Sequence, residues 1–208
     1  MHRKVLVAAL ALATLAPLAR ADDSADAKAA AVAVVNAIAK GDRDALSANF
    51  VGTGADKQLA DAMIDLLQAA DALHQAGVKQ FGNDSTKASF IDVDPARMTQ
   101  QVKDSTANVT GDTAEMIAKD AQPPHEGMQL KRINGQWKVT QITGNLDMRQ
   151  KALEFIPDAA KVMNEAASEI NDGKYAGPAE AKAALQAKMM TLMQSKMARA
   201  GKTKSTQP

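Results

Sequence analysis

The 208-residue chain has no cysteine, one Trp, one Tyr and four Phe, and its formal net charge is only +1. Without cysteine it can form no disulfide and offers no thiolate as nucleophile or metal ligand, so its stability must come from burial. A charge so near zero excludes the strongly basic surface that a nucleic-acid-binding domain needs. Aromatics are 3% of the residues, which leaves the core to aliphatic side chains and to 11 methionines. No stretch beyond residue 21 approaches the ~20 consecutive apolar residues of a membrane-spanning helix, so no transmembrane span is expected.

The N-terminus carries the clearest pattern. His2, Arg3 and Lys4 precede an almost unbroken apolar run over residues 5–16, and Ala19-Arg20-Ala21 supplies a small-x-small cleavage pattern. As a helix the run spans ~18 Å, well short of the ~30 Å hydrocarbon core of a bilayer. Residues 1–21 therefore read as an export signal cut between Ala21 and Asp22, and the protein is expected to be periplasmic or secreted. Asp22 stands where a bacterial lipoprotein would carry cysteine, so a soluble product without a lipid tether is expected. Loss of Arg3, Lys4 and Arg20 leaves 187 residues with 22 basic and 24 acidic side chains, a net charge of −2.

Residues 22–143 read as an α+β domain. Residues 27–40 form an Ala- and Val-rich helix stopping at Gly41, Asp42 or Asp44 caps a second, and residues 56–76 form a third ending at Gly77. The period then changes. Strands are expected over residues 102–109, 113–119, 128–133 and 136–142, with an earlier one near 88–93. Gly111-Asp112 and Asn134-Gly135 supply hairpin turns. Alternation places Ala114, Met116 and Ala118, then Met128 and Leu130, then Trp137 and Val139 on apolar faces. Residues 144–200 return to helix, with a break or kink expected at Pro157, an end at Gly173 and a last helix over 179–200. Residues 201–208 read as a disordered polar tail.

The segment Ala37-Ile38-Ala39-Lys40-Gly41-Asp42 with Leu46 and Phe50 resembles the opening of NTF2-like (cystatin-like α+β cone) domains. Gly111-Asp112-Thr113-Ala114, and the stretch from Leu130 through Asn134-Gly135-Gln136-Trp137 to Val139, resemble the closing strands of the same superfamily, including its secreted bacterial members of uncharacterised function. The resemblance implies N-terminal helices packed on a curved antiparallel sheet around a conical pocket. Two or three C-terminal helices would follow it. It also implies pairing into homodimers through the sheets. Enzymes of the superfamily place an Asp, Tyr or His in the cone as acid or base. Here the strand positions facing the cone are the apolar Met116, Met128, Leu130, Trp137 and Val139, and the single Tyr175 lies outside the matching region.

Chemistry-bearing motifs are sparse. His74 follows Asp71 by one helical turn, a spacing that can orient an imidazole as general base, but no serine or cysteine nucleophile accompanies it on that helix. His125 sits beside Pro123-Pro124 in a loop between strands, where ligand contacts concentrate. Asp92-Val93-Asp94 lacks the later ligands of a calcium loop, Gly201-Lys202-Thr203 lacks the rest of a phosphate loop, and no histidine pair has zinc spacing. No metal and no cofactor is implied. The last helix carries Leu185, Met189, Met190 and Met193, with Lys188 and Lys196 among the six basic residues of 179–204 against Glu180 alone. Such a helix can lie on an anionic membrane or dock on an envelope protein, or it can simply cover its own domain.

Three functions stay open at this point: a non-catalytic binding or interaction module of the cell envelope holding a small apolar ligand in the cone; an isomerase- or dehydratase-type enzyme using His74, Asp71 or His125; and an envelope-associated protein docking through its last helix.

Overall fold

The computed structural model describes residues 21–82, 95–121, 127–143 and 145–204. Residues 1–20 of the expected export signal, the strand expected near 88–93 and the loop with His125 lie outside them. Among the described residues are six helices and one four-stranded antiparallel sheet. The helices are α1 (Ala21–Lys40), α2 (Arg43–Asn49), α3 (Ala55–Phe81), α4 (Pro95–Asp104), α5 (Leu146–Asn171) and α6 (Pro178–Lys204). The strands are β1 (Thr106–Thr110), β2 (Thr113–Ile117), β3 (Met128–Ile133) and β4 (Gln136–Gln141). The class is α+β, with two helices following the sheet.

The sheet is a meander in the order β1-β2-β3-β4. Its hairpins use the expected turns. Gly111 (φ +59°) opens the β1–β2 turn, and Asn134 and Gly135 both adopt positive φ, +51° and +77°, as a type I′ turn requires. One face, carrying Ala107, Ala114, Met116, Leu130, Trp137 and Val139, is buried. Helix α1 lies across that face in contact with all four strands. It buries Ala27, Ala31, Val34 and Ile38 there, while Leu46 of α2, Phe50, and Ala60 and Ile64 of α3 complete the core. The expected cap holds: Asp42 accepts a hydrogen bond from the Ala45 amide at 2.8 Å.

A second core lies at the far end of α3. There Ala69, Leu73 and Ala76 meet Ala160, Met163, Ala166, Ala167 and Ile170 of α5, with Ala181 and Leu185 of α6 closing over them.

Several expectations are corrected. Residues 102–104 are helical, so β1 starts only at Thr106. Pro95, with φ preset for a first helical turn, opens α4, and Met98, Val102 and Ser105 recur at helical spacing. Helix α3 does not stop at Gly77. It continues to Phe81 and ends at Gly82 (φ +65°). Gly77 is buried inside α3, and the packing of α3 on α5 outweighs the ~1 kcal/mol that a helical glycine costs. Pro157 does not break the helix either: α5 is continuous through it. The ring is exposed, while Ala159, Ala160 and Met163 just beyond it are buried against α3, which offsets the ~3 kcal/mol of an internal proline. Ala118, expected on the inner face, lies past the end of β2 and is exposed. The last helix extends to Lys204, so half of the expected tail is helical.

Candidate functional site

A cavity of about 340 Å³ opens where α1, α3 and α4 meet the β2–β3 end of the sheet. Its walls come from five elements. Val35 of α1 and Met63 of α3 line one side, Met98 and Val102 of α4 another, and Met116 of β2 with Met128 of β3 form the floor. Ile117, Ala118, Ala121 and Ile142 are the other apolar contributors, and Gln101, Ser105 and Gly127 the rest of the lining. The Ser105 hydroxyl is turned back onto its helix, donating to the Gln101 carbonyl at 2.8 Å.

The sequence explains why the hollow persists. Helix α4 is held on α1 through Thr99, whose hydroxyl donates to Asn36 Oδ1 at 2.9 Å, and through Lys28, whose ammonium donates to the Lys103 carbonyl at 3.0 Å. With α4 pinned at the sheet's edge, methionine and valine side chains bridge the gap where a protein richer in aromatics would place rings.

Of the five strand residues expected in the pocket, Met116 and Met128 line the cavity. Leu130, Trp137 and Val139 do not; they are buried in the main core beneath α1 and α2. Trp137 carries the Arg132 guanidinium 4.7 Å from its ring centroid. Arg132 in turn reaches Asp23 at the start of α1 at 2.6 Å, and that hydrogen-bonded carboxylate raises the Arg132 pKa above its usual value. Met98 and Val102 were missed because residues 102–109 read as strand; the signal that finds them is Pro95 followed by apolar residues at helical spacing.

Of the candidate acid–base residues, His74 and Asp71 are not at the cavity. His74 and Asp71 are exposed on the outer side of α3, and Asp71 accepts from Gln75 Nε2 at 2.7 Å. His125 lies outside the described residues.

The last helix divides in two. Leu185 is 2% exposed and Met189 packs on the second core, so these are structural. Lys188 pairs with Glu169 at 2.7 Å and Lys196 with Asp158 at 2.5 Å, both on α5. Glu169 also receives Lys174 at 2.5 Å and the Tyr175 hydroxyl. Hydrogen bonds from Lys174, Lys188 and Tyr175, in that order, hold its carboxyl down at about 2. Burial and the Glu169 bond push the Tyr175 hydroxyl up to about 12. Beyond these anchors Met190, Met193 and Met197 are 60, 51 and 64% exposed. Met193 and Met197 line a groove of about 440 Å³ with Phe155, rimmed by Lys151, Glu154 and Lys196.

Among the described residues, no helix is long and apolar enough to cross a membrane, and no cluster of His, Asp or Glu could hold a metal ion. No family model, curated protein or solved structure matches the chain.

Proposed function

We propose that the protein is an exported, non-catalytic binding module of the cell envelope, built on an NTF2-like cone and holding a small apolar ligand in the methionine-lined cavity. The observation that carries this reading is the lining itself. Among the described residues, none that lines the 340 Å³ cavity is ionisable, whereas the grooves beside α5 and α6 are each lined by charged side chains. General acid–base catalysis needs titratable groups within reach of the reacting atoms. The enzyme alternative would draw on His74, Asp71 or His125; the first two face solvent away from the cavity, and His125 lies outside the described residues. A mostly apolar hollow of a few hundred cubic ångströms is what a small-molecule binding site requires.

The test is titration with the apolar fluorophore N-phenyl-1-naphthylamine. Saturable enhancement is expected for the wild type. Val102→Phe, which fills the cavity from α4, should abolish it while the protein still melts cooperatively. Enhancement that survives Val102→Phe but is lost in Met193→Ser would place the apolar site in the α5–α6 groove and sink the proposal.

A second reading rests on Met190, Met193 and Met197, whose exposure on the distal half of α6 gives a docking face for a membrane or an envelope partner. Flotation with anionic liposomes, lost on replacing the three methionines by serine, would support it.

A further inference from the structure

The cavity has a property that holding a neutral apolar molecule does not call for: four of its walls are thioethers. Met63, Met98, Met116 and Met128 come from four different elements and line the same 340 Å³ space. Met116 and Met128 are direct partners in the β2–β3 register, so both side chains leave the same sheet face. Their Cβ atoms are then about 4.5–5.5 Å apart. Gly127 permits this approach, since a Cβ on it would lie 1.8 Å from the Met116 carbonyl oxygen. Its amide donates to Glu115 Oε1 at 3.2 Å, which fixes the entrance to β3. Met63 and Met98 reach in from the helices on side chains with three rotatable bonds each, flexible enough to turn their sulfurs toward a common point.

We propose that these four methionines form a binding site for a soft monovalent cation, Cu(I), with Ag(I) as its experimental surrogate. Thioether sulfur is a neutral, polarisable donor that selects soft ions over Zn(II), Ca(II) or Mg(II), which favour imidazole, thiolate or oxygen donors. Among the described residues, no Lys or Arg lines the cavity to repel a cation, and no carboxylate lines it to prefer a hard one. Met116 is 4% exposed, while Met63, Met98 and Met128 are half-buried, so the ion would enter from solvent and lose only part of its hydration. Searching the sequence for His, Cys, Asp and Glu spacing passes over such a site, because its ligands are also ordinary core residues. The proposal rests on the cavity being a binding site and names an ion as its occupant.

The experiment titrates the purified protein anaerobically with Cu(I) against the competing chelator ferrozine, and with Ag(I) by calorimetry. Three proteins are compared: wild type, Met116→Leu with Met128→Leu, and a surface control with Met190→Leu, Met193→Leu and Met197→Leu. Leucine keeps the volume and removes the sulfur. The wild type and the surface control should withdraw Cu(I) from ferrozine equally, with the cavity double variant at least about tenfold weaker. Failure of the wild type to take up either ion, equal affinity in the double variant, or loss confined to the surface control would overturn the proposal. N-phenyl-1-naphthylamine is titrated in parallel. If it binds while Cu(I) does not, only the ion is wrong; if neither binds, the reading of the cavity as a binding site fails as well.

Discussion

Helix α3 belongs to two different kinds of interior. Its first half packs Ala60, Ile64 and Leu67 into the core beneath the sheet, where alanines are mixed with larger side chains such as Ile38, Phe50 and Trp137 and the 340 Å³ cavity lies at the edge. Its second half packs Ala69, Leu73 and Ala76 against α5 through facing alanines, beside a surface groove that carries Asp65, Lys161 and Glu165. Small residues let two helices approach closely over a long contact, which leaves room only for surface grooves with charged rims. A sheet covered by helices from several directions cannot be filled so evenly, and methionine is the side chain that adapts to what remains. On the proposed function, the difference separates a part of the molecule that holds shape from a part that holds a ligand.

The sharpest way to break this division is at the junction. Asp56 at the start of α3 and Arg149 at the start of α5 form a buried ion pair, 7 and 8% exposed. The second carboxylate oxygen of Asp56, Oδ1, is buried with no hydrogen-bond partner. Arg149→Met should cost about 3–5 kcal/mol in urea unfolding, because it strands a buried carboxylate. Adding Asp56→Leu should recover most of that loss, since replacing both partners by apolar side chains removes the uncompensated charge. If the double variant is no more stable than the single one, the pair is not what couples the two regions.

Within each region, the response to added or conserved volume should differ. Ala166→Leu inserts a larger side chain into the close α3–α5 contact and should destabilise by about 1–3 kcal/mol. Met63→Leu conserves volume beside the hollow and should cost less than about 1.5 kcal/mol. Equal losses by denaturant titration would mean that the two interiors are packed alike.

How much of this was legible in the sequence follows the same division. The hairpins were readable because Gly111 and Asn134-Gly135 demand particular backbone angles whatever surrounds them. So was the cap at Asp42, which is a local bond. Helix ends were misjudged where long-range packing decided them. Gly77 and Pro157 are local stop signals overruled by the α3–α5 interface, which no short window contains. For the cavity, alternation found Met116 and Met128 but could not separate a pocket wall from core, because Leu130 and Val139 obey the same period. In α6 the apolar stripe was visible, but its division into a half packed on the second core and a half with exposed methionines is set by long-range contacts that the stripe does not contain.

The edge of the helical region is pH-sensitive on both sides of neutrality. Glu169 is held at about 2, below its usual value near 4.5, by Lys174, Lys188 and Tyr175. A depressed carboxyl stabilises the fold above its unfolded pKa, so this contribution is complete above about pH 4.5 and is lost as the pH falls toward 2. Tyr175, raised from 10 to about 12, gives a contribution that is present below pH 10 and lost as the pH rises toward 12. Glu169→Gln should cost about 1–2 kcal/mol at neutral pH and flatten the acid limb of the stability curve. An acid limb unchanged by the substitution would show that the cluster does not fasten α6 to α5.

The smallest effect is expected at His74, and there a null result is informative. His74 lies on the half of α3 that holds shape, and its exposed side chain belongs to neither buried cluster. If function resides in the sheet-side cavity, His74→Ala should shift stability by no more than about 0.5 kcal/mol, as surface substitutions do. It should also leave N-phenyl-1-naphthylamine and Cu(I) binding unchanged. Asp71→Asn should be equally silent, since the carboxylate's hydrogen bond runs to Gln75 on the same helix face. A turnover assay on isomerase- or dehydratase-type substrates gives the opposing result. Activity abolished by His74→Ala with binding in the cavity intact would move the functional centre onto the helical region and reverse the assignment of the two halves of α3.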